Sequence, residues 1–255
     1  MKNSKSKLQL FEGLWAVTPS SLLAYQTILN DILIRGEVDH GDERPNASIR
    51  YVLDEHGEKV SSSEDIPQGS IGVVNLIGPM VKYGNWWFWG ADELVAMLES
   101  YDADPNIIGT ILMIDSGGGQ VSAVAPYTHF MKRKQKPVVA LGDTVGSAAM
   151  WVSASADYSI AANDISAMYG SIGVMVNLFS LKGYWKQMGI EEHTIYSDHS
   201  EDKNKSFELA LEGKYEEIKK EHLNPLALKF QEEIKAYRAP KLQLEEPGLL
   251  TGRMF

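Results

Sequence analysis

The chain has 255 residues, 44% hydrophobic and 23% charged, a globular composition with room for one large α/β domain and an extension. It contains no cysteine, which excludes thiol catalysis, disulfides and cysteine-ligated metals, and its net charge of −10 argues against a nucleic-acid groove. No apolar run reaches the roughly eighteen residues of a bilayer span, and MKNSKSKLQLFEGLWAV lacks a secretory apolar core, so the chain reads as cytoplasmic.

The elements follow in chain order. TPSSLLAYQTILNDIL predicts an opening helix, with Thr18 as N-cap and Pro19 at the first helical position. Residues 36–68 turn polar, without a sustained period, and read as a loop-rich arm; residues 1–65 form an N-terminal extension and 66–255 the main domain. From Ser70 the pattern changes to strands alternating with helices. SIGVVNLIGPM, IIGTILMID, PVVALG, YSIAA, SIGVMV and HTIYS are the expected strands, and ADELVAMLESY and NLFSLKGYWKQMG are expected helices. That alternation predicts an α/β fold of repeated βαβ units, with a right-handed parallel sheet covered on both faces. The segment 207–238 is helical with a bend near Pro225, and its apolar stripe reads as core or subunit interface.

Four motifs carry candidate chemistry. IDSGGGQV puts three glycines after an apolar strand, where backbone N–H groups can face an anion; neither dinucleotide-binding nor P-loop spacing is present. GSAAMWVSASAD places Ser147 at the first turn of a helix, with the Ala148 amide and the helix dipole favouring negative charge beside it. Packing of small residues explains the same letters equally simply. YGSIGV repeats the Gly-Ser pair at Ser171, and SDHSEDKNKS supplies Lys203 and Lys205 in a polar run. The six histidines, His40, His56, His129, His193, His199 and His222, stand in no triad-like setting.

Taken in order, the glycine turn, G-S-A-A-x-W followed by A-D, G-S-I-G-V and the lysine-bearing loop resemble the signal peptide peptidase A family, over roughly residues 70–238. The resemblance implies a ClpP/crotonase-like fold with a helical C-terminal segment, and a Ser-Lys serine peptidase without metal or cofactor. Within it, the sequence looks closer to the soluble phage and prophage members, the head-maturation peptidases similar to minor capsid protein C. Carried over, Ser147 is the nucleophile, Lys203 (or Lys205) the base in a dry pocket, and Ser171 the residue that orients the lysine. Gly118 or Gly119 and the Ala148 amide form the oxyanion hole, while Met150 and Trp151 line the substrate pocket. Gly117 replaces the usual proline of that turn. The implied partners are a polypeptide substrate, other copies in a ring or dome, and capsid or scaffold proteins of a phage. The family chain continues past a G-R-x-F-like segment, so TGRMF reads as a trimmed end. Two rivals stand beside this reading: an acyl-CoA enzyme of the crotonase type, and a non-catalytic ring or scaffold component of a phage head.

Overall fold

A computed structural model of the chain describes residues 15–17, 49–60, 65–85, 88–178, 180 and 182–255. The helix expected from Thr18 lies outside the described residues. Eight strands are described: β1 (Trp15–Val17), β2 (Arg50–Leu53), β3 (Ser70–Ile77), β4 (Ile107–Ser116), β5 (Gly118–Gln120), β6 (Val138–Gly146), β7 (Tyr158–Ala161) and β8 (Met168–Gly170). The principal helices are α1 (Ala91–Ala103), α2 (Val124–Arg133), α3 (Ala148–Ser155), α4 (Lys182–Gln187), α5 (Lys205–Leu211), α6 (Glu216–Ile218) and α7 (Asn224–Arg238).

The main sheet runs β2-β3-β4-β6-β7, with β8 also on β6. Strands β3, β4, β6, β7 and β8 pair in parallel, and β2 closes one side antiparallel to β3. The βαβ alternation therefore produced the mixed α/β fold with a mostly parallel sheet that was expected. One part of the polar arm departs from expectation: Arg50–Leu53 is a strand, because Val52 is buried and the backbone of residues 50–53 pairs with β3. A four-residue strand is too short to show a period.

Helix α1 packs on β3 and β4, α2 lies against α1 and α3, and α3 packs against α7. The core holds Leu94, Leu98, Leu112, Ile114, Tyr127, Phe130, Val145, Trp151 and Phe230, all buried. Cover on both faces of the sheet is not what the described residues show. In β4, Ile107, Thr110, Leu112, Ile114 and Ser116 are buried, whereas Gly109, Ile111 and Met113 between them are only half-buried. Mostly apolar letters on both faces hid this difference.

The carboxyl half departs further. HTIYS is not a strand: residues 193–197 have no regular secondary structure and are largely exposed, with Ile195 at 90% exposure. A run of β-formers needs a neighbouring strand to supply its hydrogen bonds, and none of the described strands pairs with it. The strand expected at SIGVMV, residues 171–176, is not formed; β8 lies just before it and ends at Gly170. Where a bend was expected near Pro225, residues 219–223 wind as a wider π turn, and Pro225 sits in the first turn of α7. No helix among the described residues is long and apolar enough to cross a membrane.

Candidate active site

Two parallel strands end in the same dipeptide, Gly-Ser, and the register Gly146↔Gly170 sets those ends side by side. Ser147 and Ser171 thus follow equivalent positions on strands about 4.8 Å apart. Both adopt φ 53°, and at Ser147 ψ is −115°, outside the regions open to ordinary L residues. Neighbouring backbone holds Ser147 there. Its N–H donates to the Gly170 carbonyl at 2.9 Å, and its own carbonyl accepts the Trp151 amide at 3.0 Å, starting α3. Its Oγ donates to the Gly173 carbonyl at 3.3 Å. Ser147 retains 1% exposure and Ser171 8%, so both hydroxyls sit beneath the surface.

The glycine strand flanks the other side. Ser116 lies opposite Val145 across the β4–β6 pair. Its Oγ donates to the Gly78 carbonyl at 2.6 Å and accepts the Gly118 N–H at 3.2 Å. Gly118 has φ +99°, and a Cβ on Gly119 would stand 2.1 Å from the Met80 carbonyl oxygen, so glycine is required at both. Helix α3 packs against β5, which keeps the glycine strand next to the helix that opens at Ala148. Of the two glycine amides expected to face an anion, the Gly118 amide is engaged by Ser116.

The lysines lie apart from this cluster. Lys203 is exposed, and its backbone amide donates to the Ser200 carbonyl at 3.1 Å. Lys205 pairs with Asp202 at 2.8 Å, and that bond holds its pKa above the usual lysine value, the wrong direction for a base. Among the described residues neither amine bonds to Ser147 or Ser171. The expected dry pocket around Lys203 is therefore not formed in this single chain.

The two residues expected to line a substrate pocket also face the core. Trp151 is buried, its ring stacked on Phe230 with centroids 4.4 Å apart, and its Nε1 donates to Glu233 Oε2 at 2.7 Å. Burial alone would raise the Glu233 carboxyl; the Trp151 and Lys229 donors outweigh it and hold its pKa below the usual value. Met150 is half-buried against the same core. On a helix of buried residues, sequence distance from the serine does not tell which side a side chain takes.

Asp157, the acid of the A-D pair, is a tie between elements. It bonds Lys134 Nζ at 2.5 Å and accepts the Val138 amide at 2.7 Å, joining the end of α2 to the start of β6. Burial would raise its pKa, but these two donors hold it below the ordinary carboxylate range. An open dent of about 440 Å³ between α1 and α2, lined by Val95, Pro126, His129, Lys132 and Arg133, contains none of the serines.

Sequence reasoning missed three groups: the Gly170 and Gly173 carbonyls, which hold Ser147, and Ser116, which engages the Gly118 amide. The repeated Gly-Ser at two strand ends was the available signal for the first pair.

Residues 131–247 match the family described as Peptidase family S49. The chain is 32% identical over 168 residues to the head-tail preconnector protein GP5 of Enterobacteria phage P21, covering 65% of this chain and 32% of that protein. It is 30% identical over 105 residues to Protease 4 of Haemophilus influenzae, covering 40% of this chain and 17% of that protein. The chain thus spans about a third or less of those relatives' own lengths. The resemblance to the signal peptide peptidase A family is shown by these matches, and the mostly parallel sheet agrees with a ClpP-like fold.

Proposed function

We propose that this chain, whose residues 131–247 match peptidase family S49, is a serine endopeptidase with Ser147 as its nucleophile. The observation that carries this reading is the conformation of Ser147. A buried serine held at φ 53° and ψ −115° between a strand end and a helix start is a strained turn of the kind that presents a nucleophile. Oγ attacks the scissile carbonyl and gives up its proton, leaving an oxyanion that meets the Ala148 amide and the Gly119 N–H. Collapse expels the amine, which takes a proton, and leaves an acyl ester on Ser147. Water then hydrolyses the ester.

The base is a lysine that acts as a free amine, and Lys203 is our choice. Lys205 is committed to Asp202, whereas no ion pair of Lys203 occurs among the described residues. Lys203 lies on an exposed turn, so it has to be carried to Ser147; assembly of copies into a ring or dome would cover that turn and bring an amine in. Ser171, beside Ser147, orients it. The similarity to the phage head-tail preconnector protein supports capsid or scaffold polypeptides as substrates.

The test is labelling of the chain by a fluorophosphonate, with the adduct mapped by mass spectrometry and casein digestion run in parallel. Adduct at Ser147, absent from Ser147→Ala, is the expected result. Adduct elsewhere, or digestion that persists in Ser147→Ala, refutes the assignment.

A further inference from the structure

Strand β5 is bonded on both edges. On one, the Met80 amide donates to the Gly118 carbonyl at 3.0 Å, and the Gln120 amide donates to the Met80 carbonyl at 2.8 Å. Residues along an extended strand direct their N–H and C=O alternately to the two edges, so those of Gly119 face the other edge. That edge carries β1, antiparallel, with Ala16 opposite Gly119, Val17 opposite Gly118 and Trp15 opposite Gln120. The Gly119 amide, left as the glycine donor for an oxyanion, is thus covered by the chain's own residues 15–17.

Three properties of this pairing go together. A three-residue strand forming a two-stranded sheet adds little to stability by itself, so it is readily exchanged. Gly118 and Gly119 offer only backbone to whatever lies on that edge, which suits recognition of many sequences by strand addition. The adjacent nucleophile keeps 1% exposure, so an extended polypeptide has no route to Ser147 while the surroundings stay as they are.

We propose that residues 15–17 occupy the position of a polypeptide substrate on β5, an internal competitor that leaves before Ser147 is acylated. This rests on the peptidase reading and adds its control. The competitor binds through backbone, so its release is opposed by about two ordinary hydrogen bonds, a factor on the order of tenfold.

The experiment uses the full chain and Ala16→Pro, which removes the amide that faces Gly119 and cannot continue the pairing. In the parent the Gly119 amide should be protected from hydrogen exchange, and in Ala16→Pro it should exchange faster. Fluorophosphonate labelling of Ser147 should quicken roughly tenfold, and KM for an extended peptide should fall by a similar factor with kcat unchanged. Ala16→Ser, which keeps the backbone donor, should behave as the parent. An acetylated, amidated and dansylated peptide of residues 14–18 should bind Ala16→Pro at least tenfold more tightly than the parent, also in a Ser147→Ala background. An unprotected Gly119 in the parent overturns the inference, as do equal labelling rates in parent and Ala16→Pro. If neither protein is labelled at all, the peptidase reading falls; the peptide then decides, and equal binding to both chains overturns the occupied edge.

Discussion

Replacing Ser147 by glycine should stabilise the protein relative to replacing it by alanine, the reverse of the usual order inside a fold. Both variants lose the Oγ bond to the Gly173 carbonyl, so that loss cancels in the comparison. What differs is the Cβ. At φ 53° and ψ −115° a side chain costs about 1–3 kcal/mol, which alanine still bears and glycine does not. Glycine returns about 0.5–1 kcal/mol through the greater freedom of its unfolded chain. The mid-range difference favours Ser147→Gly by about 1 kcal/mol, or roughly 2–4 °C in Tm for a chain of this size. Urea unfolding followed by circular dichroism, with both midpoints and slopes compared, measures it. Equal midpoints, or a higher one for Ser147→Ala, would falsify the claim that strain is stored at this serine. Neither variant should take up a fluorophosphonate, which separates the stability effect from the loss of the nucleophile.

Lys203→Ala should remove nearly all peptide hydrolysis while the unfolding midpoint stays put, because an exposed side chain carries little packing energy; Lys205→Ala should retain the parent rate. The opposite pattern in a peptidase assay would move the base to Lys205. Asp157→Asn should cost about 1–3 kcal/mol, since Lys134 and the Val138 amide lose a charged acceptor. Because the folded-state pKa of Asp157 is lowered, its contribution is complete above the unfolded value near 4 and fades as pH falls through the folded one. The gap between parent and Asp157→Asn should therefore narrow in acid, and a constant gap from pH 7 to pH 2 in thermal melts would count against the tie. Trp151→Phe should lower stability by about 1–2 kcal/mol through the lost bond to Glu233 and leave peptide preference unchanged. A shift in cleavage specificity at unchanged stability would return Trp151 to the substrate pocket.

Much of the architecture was legible in the letters because it rests on short-range periodicity. The apolar run at 107–116, the glycine turn behind it, the amphipathic α1 and the alternation of strand and helix each depend on a few neighbouring residues. Composition likewise excluded thiol chemistry. Arg50–Leu53 escaped because a four-residue edge strand has no period of its own, and HTIYS misled because β-formers make no strand without a partner.

The site divides along the same line. That Ser147 opens a helix could be read from Gly-Ser-Ala-Ala, but its φ and ψ are imposed by the Gly170 carbonyl and the turn into α3. Nothing local joins Ser147 to Ser171; the register Gly146↔Gly170 between parallel strands does, and a slip of one residue would send the two serines to opposite faces. Trp151 lies four residues from Ser147, yet Phe230 and Glu233 on a distant helix decide that its ring joins the core. The pairing of residues 15–17 with β5 spans about a hundred residues of chain. Backbone hydrogen bonds of this kind are made by N–H and C=O groups that every residue carries, so they leave no signature in the amino-acid sequence and are settled only when the strands meet.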